Sequence, residues 1–137
     1  MKLDREAMLP TYPEPFEHVD GGEFMDAQWL ATNEKPFQAW VVARARDAGW
    51  DIIYHTYDSR KSTPGFPDLH LVKMSPPRII YAELKKQNGK VAPSQKSCLD
   101  VLATVADSLE GVEVYLWRPA DRETILEILE GESHDHA

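Results

Sequence analysis

STPGFPDLHLV, residues 62–72, changes character half-way along. Ser62 to Pro67 is turn chemistry, with two prolines and one glycine. Leu69 to Val72 alternates like a strand. Asp68 stands at the junction, directly after Pro67. A loop aspartate is the plain reading. A sharper one depends on what the rest of the chain brings to the same place.

Working outward, WDIIYHTY (50–57) is rich in β-branched and aromatic residues and reads as a strand. DLHLVKM (68–74) reads as a second strand. Ser75-Pro76-Pro77 turns the chain, and RIIYAELK (78–85) reads as a third strand, the hairpin partner of the second. KQNGKVAP (86–93) is a loop. Ser94 is expected to cap a helix to about Leu109, with Leu99, Leu102, Val105, Ala106 and Leu109 on its core face. VEVYLW (112–117) is a fourth strand. A strand–helix–strand crossover of this length predicts parallel pairing of strands three and four.

Upstream, a helix fits 34–48. Asn33 is its expected N-cap, Pro36 lies in its first turn, and Phe37, Trp40, Val41, Ala45 and Ala48 form an apolar stripe. Asp121 is expected to cap a last helix. The order is αβββαβα, an α/β fold with a mixed sheet flanked by helices. Residues 1–33 read as an acidic arm broken by Pro10, Pro13, Pro15 and Gly21-Gly22, with one or two helical turns in MDAQWLA (25–31). Residues 34–130 read as the domain, and 131–137 as a tail.

A chain of 137 residues with 42% apolar content suits one core. No run approaches the about 20 apolar residues that span a bilayer, so no membrane partner is expected. Cys98 is alone, which excludes an internal disulfide and predicts a reducing compartment such as the cytoplasm. The net charge of −8 argues against a polyanionic partner until its distribution is read. Residues 60–96 carry Arg60, Lys61, Lys73, Arg78, Lys85, Lys86, Lys90 and Lys96 against only Asp68 and Glu83. A basic block inside an acidic chain steers nucleic acid locally.

Those two acids are the point of interest. Glu83 and Lys85 are two apart on a strand and share a face, while Ile80, Ala82 and Leu84 take the opposite, core-facing side. The hairpin brings Asp68 beside the end of strand three. Two carboxylates and an ammonium then meet at one end of a sheet. Such a set can hold a hard divalent cation and stabilise charge on a phosphodiester. Glu-x-Lys by itself is more often a surface ion pair. It gains weight from Pro67-Asp68, the hairpin and the basic block.

Pro67-Asp68 followed by Glu83-Leu84-Lys85 resembles the PD-(D/E)XK nuclease superfamily, whose core has this αβββαβ order, the restriction-endonuclease-like fold. EKPFQAWVVARARDAGW, YHTYDSRKSTPGFPDLHLV, YAELKKQNGKVAPSQ and VEVYLWRPAD, in this order, resemble the VRR-NUC family of virus-type replication-repair nucleases over residues 34–130. The resemblance implies that Asp68 and Glu83 are metal-ligand carboxylates, that the Leu84 carbonyl completes the shell, and that Lys85 is the catalytic lysine. It implies that Glu34 reaches the metal directly or through water. Gln95 matches a polar position near the site, where its amide would orient Lys85 or meet a phosphate. The implied cofactor is Mg²⁺ or Mn²⁺, and the implied products carry a 5′-phosphate. Stand-alone members resemble junction-cutting nucleases, which implies branched DNA as substrate and a bacterial or phage-infected cell as setting; one domain carries one site, so two symmetric cuts predict a homodimer.

Arg60, Lys61 and Ser62, in the loop that ends at Asp68, are expected to contact phosphates, as are Lys86, Lys90 and Lys96. His55 and His70 read as strand histidines rather than ligands, and Trp29, Trp40, Trp50 and Trp117 as packing residues. Two other readings stay open: a flap or nicking nuclease with the same site, and a non-catalytic nucleic-acid-binding module of the same fold.

Overall fold

The computed structural model describes residues 25–56 and 63–131. Its elements are α1 (Ala27–Leu30), α2 (Glu34–Asp47), β1 (Ile52–His55), β2 (Leu69–Lys73), β3 (Arg78–Leu84), α3 (Pro93–Ala106), β4 (Val112–Trp117), a 3₁₀ turn (Pro119–Asp121) and α4 (Arg122–Leu129). The sheet order is β1-β2-β3-β4. The first three strands are antiparallel, and β3–β4 is parallel across the α3 crossover, as expected. The fold is α/β, with a mixed four-stranded sheet between helices, consistent with a restriction-endonuclease-like core.

Alternation sorts the sheet into two faces. Leu69, Leu71, Ile80, Ala82, Leu84, Tyr115 and Trp117 point into the larger core, against Phe37, Val41 and Ala45 of α2 and Ile125, Ile128 and Leu129 of α4. Leu99 and Ala106 of α3 cover Val114 on the other face. Residues 25–31, expected to belong to the arm, join the core through Trp29. Trp29 is 2% exposed, donates Nε1–H to the Pro119 carbonyl at 2.7 Å, and packs edge-on to Phe37 and Trp40. Residues 1–24 lie outside the described part.

Several local expectations shift. Ser94 does not cap α3. Pro93 takes the first helical position, where a missing N–H costs nothing, so the cap falls on Ala92. The Ala92 N–H is satisfied by the Gln95 side chain at 2.8 Å. Val105 and Leu109 are not core residues. The helix ends at Ala106, and both side chains are about half exposed, as is Val101. Asn33 and Asp121 hold the N-cap positions of α2 and α4 without a side-chain cap bond. Asp121 instead accepts from the Arg118 N–H at 2.8 Å.

The basic block also divides. Lys73 and Arg78 face each other at the hairpin end of β2–β3, opposite the end that carries Asp68. Arg78 is buried, makes a two-pronged ion pair with Glu113 at 2.7 Å, and donates to the Ile128 carbonyl. Lys73 reaches the Ala48 carbonyl at the end of α2 and lies over the Trp50 ring. Both cations cap helix ends and neither faces the site. They sit about 17 Å from it, at about 3.3 Å per strand residue.

Candidate active site

Asp68 is fixed from both sides by backbone. Thr56, just past β1, donates its N–H to the Asp68 carbonyl at 2.8 Å and its hydroxyl to the Pro67 carbonyl at 2.6 Å. The Asp68 carboxylate accepts the Leu84 N–H at 2.8 Å, bridging the ends of β2 and β3. Since Leu69 pairs with Ala82, the next position along sets Asp68 against Glu83.

The loop before Asp68 is locked to α3. Gly65 has φ of +83°, and a Cβ placed there would lie 2.3 Å from the Ser94 carbonyl oxygen and 2.8 Å from the Gln95 nitrogen. Only glycine fits both the conformation and the gap. The contact seats the start of α3 beside the carboxylates. Gln95 then donates to Glu83 at 2.9 Å. Gln95 thus bridges Glu83 and the Ala92 N–H, a contact that orients the acid.

Glu83 is 1% exposed, and its Oε1 finds no hydrogen-bond donor. Burial, then the Asp68 charge, pushes its carboxyl up to about 8; Lys85 works against that rise. Asp68 is also raised, first by burial and then by the Glu34 charge, while the Leu84 N–H pulls it down. The two carboxyl groups stand within hydrogen-bonding range of each other. That contact requires a shared proton or a cation.

Glu34, the first residue of α2, is exposed and lines a cleft of about 420 Å³ with Lys35, Gln38, His55, Thr56, Asp68 and Leu84. Among the described residues no three His, Cys, Asp or Glu side chains form a ready-made ligand cluster. The donor set is two convergent carboxylates beside the Leu84 backbone, with Glu34 acting from across the cleft. It fits a hard cation that keeps several waters and uses one or two protein carboxylates. The orphaned Glu83 oxygen is the observation that makes the fit.

Lys85 continues the ladder beyond β3, donating its N–H to the Trp117 carbonyl at 3.0 Å, and its charge acts on both acids. Lys86 and Lys90 are exposed on the following loop. Lys96 is exposed and paired with Asp100 at 3.0 Å. Such a pair is worth about 0.5 kcal/mol and yields readily to a phosphate. Arg60, Lys61 and Ser62 lie outside the described residues. His70 packs tilted against Tyr81, ring centroids 4.4 Å apart, and burial lowers its pKa, the behaviour of a packed strand histidine. Cys98 is half-buried and its thiol is pushed up by burial and by Glu83, which disfavours a thiolate nucleophile.

The VRR-NUC domain model matches residues 26–120. The chain belongs to the VRR-NUC family. No curated protein and no solved structure matches. Membership makes this a nuclease-type protein, for which DNA is the implied partner, and nucleases of the PD-(D/E)XK type generally use divalent metal ions. The matched span takes in Trp29 and ends at the Pro119 turn that receives the Trp29 bond. Among the described residues no helix is long and apolar enough to cross a membrane.

Sequence reasoning missed Thr56, Gly65 and Arg118. Gly65 was within view as the glycine of PGFPD, but its reason is a close approach by a helix 29 positions later.

Proposed function

We propose that the protein is a Mg²⁺- or Mn²⁺-dependent endodeoxyribonuclease that hydrolyses phosphodiester bonds, leaves 5′-phosphates and prefers branched DNA. The observation that carries the reading is the pairing of half-buried Asp68 with buried Glu83, one of whose oxygens has no donor. An acid pair costs several kcal/mol to bury without a counter-charge, and a protein retains one where a cation repays that cost. Bound there, the ion would polarise the phosphate and acidify a water.

The chain supplies the rest. Asp68 and Glu83 would hold the ion with the Leu84 carbonyl, and Glu34 would act on it directly or through water. Gln95 fixes the Glu83 rotamer, and Thr56 fixes the backbone at Asp68. Lys85 offers a proton-rich, positive group for the charge that develops on the phosphate. Lys86, Lys90 and Lys96, with Arg60, Lys61 and Ser62, contact flanking phosphates.

Branched DNA needs two cuts, and one domain carries one site, so the reading includes a homodimer. Its support is the exposed apolar flank of Val101, Val105 and Leu109 on and after α3. In this reading the acidic stretch of residues 1–24 is not part of the nuclease, which takes in Trp29 and its neighbours ahead of α2 and runs on to residue 130, and the setting is the cytoplasm of a bacterial or phage-infected cell.

The test is plasmid nicking with Mg²⁺, with Mn²⁺ and with chelator, alongside Asp68→Asn. Metal-dependent nicking that the variant lacks supports the enzyme. DNA binding without nicking in either metal leaves a non-catalytic module. Light scattering and cleavage of junction against linear duplex decide the finer reading, since a monomer that cuts both equally is a nicking nuclease.

A further inference from the structure

Arg118 lies outside the cleft, yet its bonds run into the segment that follows Lys85. One guanidinium nitrogen, Nη1, donates to the carbonyls of Lys86 at 2.9 Å, Gln87 at 3.2 Å and Gly89 at 2.8 Å. Three carbonyls from four consecutive residues converge on it, so the loop is wound around the charge. A second tie closes the ring: the Gln87 side-chain oxygen accepts the Ala120 N–H at 2.9 Å. The loop is also folded back on itself, since the Gly89 N–H donates to the Lys86 carbonyl at 2.9 Å.

The fold-back reaches Lys85. A Cβ added at Gly89 would lie 3.4 Å from the Lys85 Cδ and 3.3 Å from the Lys86 Cγ. The loop backbone at Gly89 therefore runs alongside the aliphatic stem of the lysine that the proposed mechanism uses, with no room to spare for a side chain between them. A lysine stem has several soft torsions and about 2 kcal/mol of rotamer entropy. The backbone bond of Lys85 to Trp117 leaves those torsions free, and the loop at Gly89 is a wall beside them. The loop is short, polar and without a core of its own, and three carbonyls facing one another repel unless a cation sits among them. Arg118 is that cation. Its own backbone is pinned, because its N–H is held by Asp121 at the start of α4.

We propose that Arg118 is a positioning residue: it orders the loop of residues 86–89 and through Gly89 sets the Lys85 side chain. The inference rests on the nuclease reading above for its catalytic consequence, and on the loop geometry alone for its structural one.

The experiment compares wild type, Arg118→Met and Arg118→Lys as full chains. Melting temperature and Mn²⁺ calorimetry come first, then steady-state cleavage, then amide hydrogen exchange. The expected Arg118→Met result is a kcat reduced about 10- to 100-fold, the loss that follows a misplacement of about 1 Å. Mn²⁺ affinity stays within about twofold, because Asp68 and Glu83 are untouched, and faster exchange is confined to residues 85–91. Arg118→Lys restores part of kcat, since an ammonium can also take three carbonyls but stops short of Nη1. Unchanged kcat in Arg118→Met overturns the proposal, as does a loss of Mn²⁺ binding in step with kcat, which marks a general structural defect. If wild type shows no metal-dependent cleavage, the nuclease reading fails on that control. Loop exchange then decides Arg118 alone, and an unchanged loop in Arg118→Met overturns it.

Discussion

Replacing Glu83 by glutamine should make the metal-free protein more stable, and more so as the pH rises. In the unfolded chain the carboxyl ionises near 4.5; in the fold it ionises near 8 because it is buried against Asp68. Between those values the native state holds a proton that the unfolded state has released, so stability falls with pH by about 1.4 kcal/mol per unit. The loss is absent below about pH 4.5, reaches about 3 kcal/mol at pH 7 and levels off above pH 8 at about 5 kcal/mol. Asp68, also raised, adds in the same direction. Glu83→Gln removes the ionisation yet keeps an oxygen that can accept the Gln95 amide. In urea titrations with chelator the variant should match wild type near pH 5. At pH 7 it should exceed wild type by a midpoint of about 1–2 M for m near 2 kcal/mol/M. Excess Mn²⁺ should reverse the order, because only the wild-type pair gains by binding it. A wild-type stability that is flat from pH 5 to 8 in chelator, or a variant that gains nothing at pH 8, would refute the account of Glu83.

Asp68→Asn should abolish cleavage and weaken Mn²⁺ binding, whereas Lys85→Met should abolish cleavage with Mn²⁺ affinity equal or higher, as read by calorimetry. Gly65→Ala should lose both stability and activity, because positive φ and a 2.3 Å approach to Ser94 act together; the expected loss exceeds about 2 kcal/mol by thermal melting. Glu113→Gln should cost about 3–5 kcal/mol by urea titration, since it leaves Arg78 buried at 6% exposure without its counter-charge. Lys86→Gln and Lys90→Gln should each lower the salt dependence of duplex binding by about one unit of slope, while Lys73→Gln, at the wrong end of the sheet, should leave it unchanged.

The carboxylate pair was legible because a hairpin is local. Alternation gives the faces, the Ser75-Pro76-Pro77 turn gives the register, and together they bring Asp68 to Glu83. What holds the pair was not legible, because it is supplied from far along the chain: Thr56 from β1, Gln95 from α3, the Gly65 approach to Ser94. Pattern rules also erred where a neighbour changed the local rule. Ser94 is a good capping residue, but Pro93 claims the first helical position and moves the cap back to Ala92. Val105 and Leu109 have the spacing of a core stripe, yet α3 covers the sheet through Leu99, Leu102, Ala103 and Ala106, and the other flank faces outward. Counting charge along 60–96 treated Lys73 and Arg78 as part of one surface, although a strand of five residues carries its two ends to different places. Helix and strand boundaries elsewhere, and the parallel β3–β4 pairing, followed from periodicity and connection length.

The crossover through α3 has a consequence for when the site comes into being. The β2–β3 hairpin can close early, since its strands are four residues apart in sequence. At that stage Asp68 and Glu83 are side by side but still wet, with no reason for a raised pKa and no amide holding the acid. Gln95 arrives only when α3 docks, and Lys85 gains its Trp117 bond and its Arg118-wound loop only when β4 has added in parallel. The acids are thus contributed by the quick, local part of folding and their control by the slow, non-local part. An incomplete chain presents the two carboxylates without the burial and bracing that this arrangement gives them, so the braced acid pair belongs to the finished sheet rather than to the hairpin that carries it.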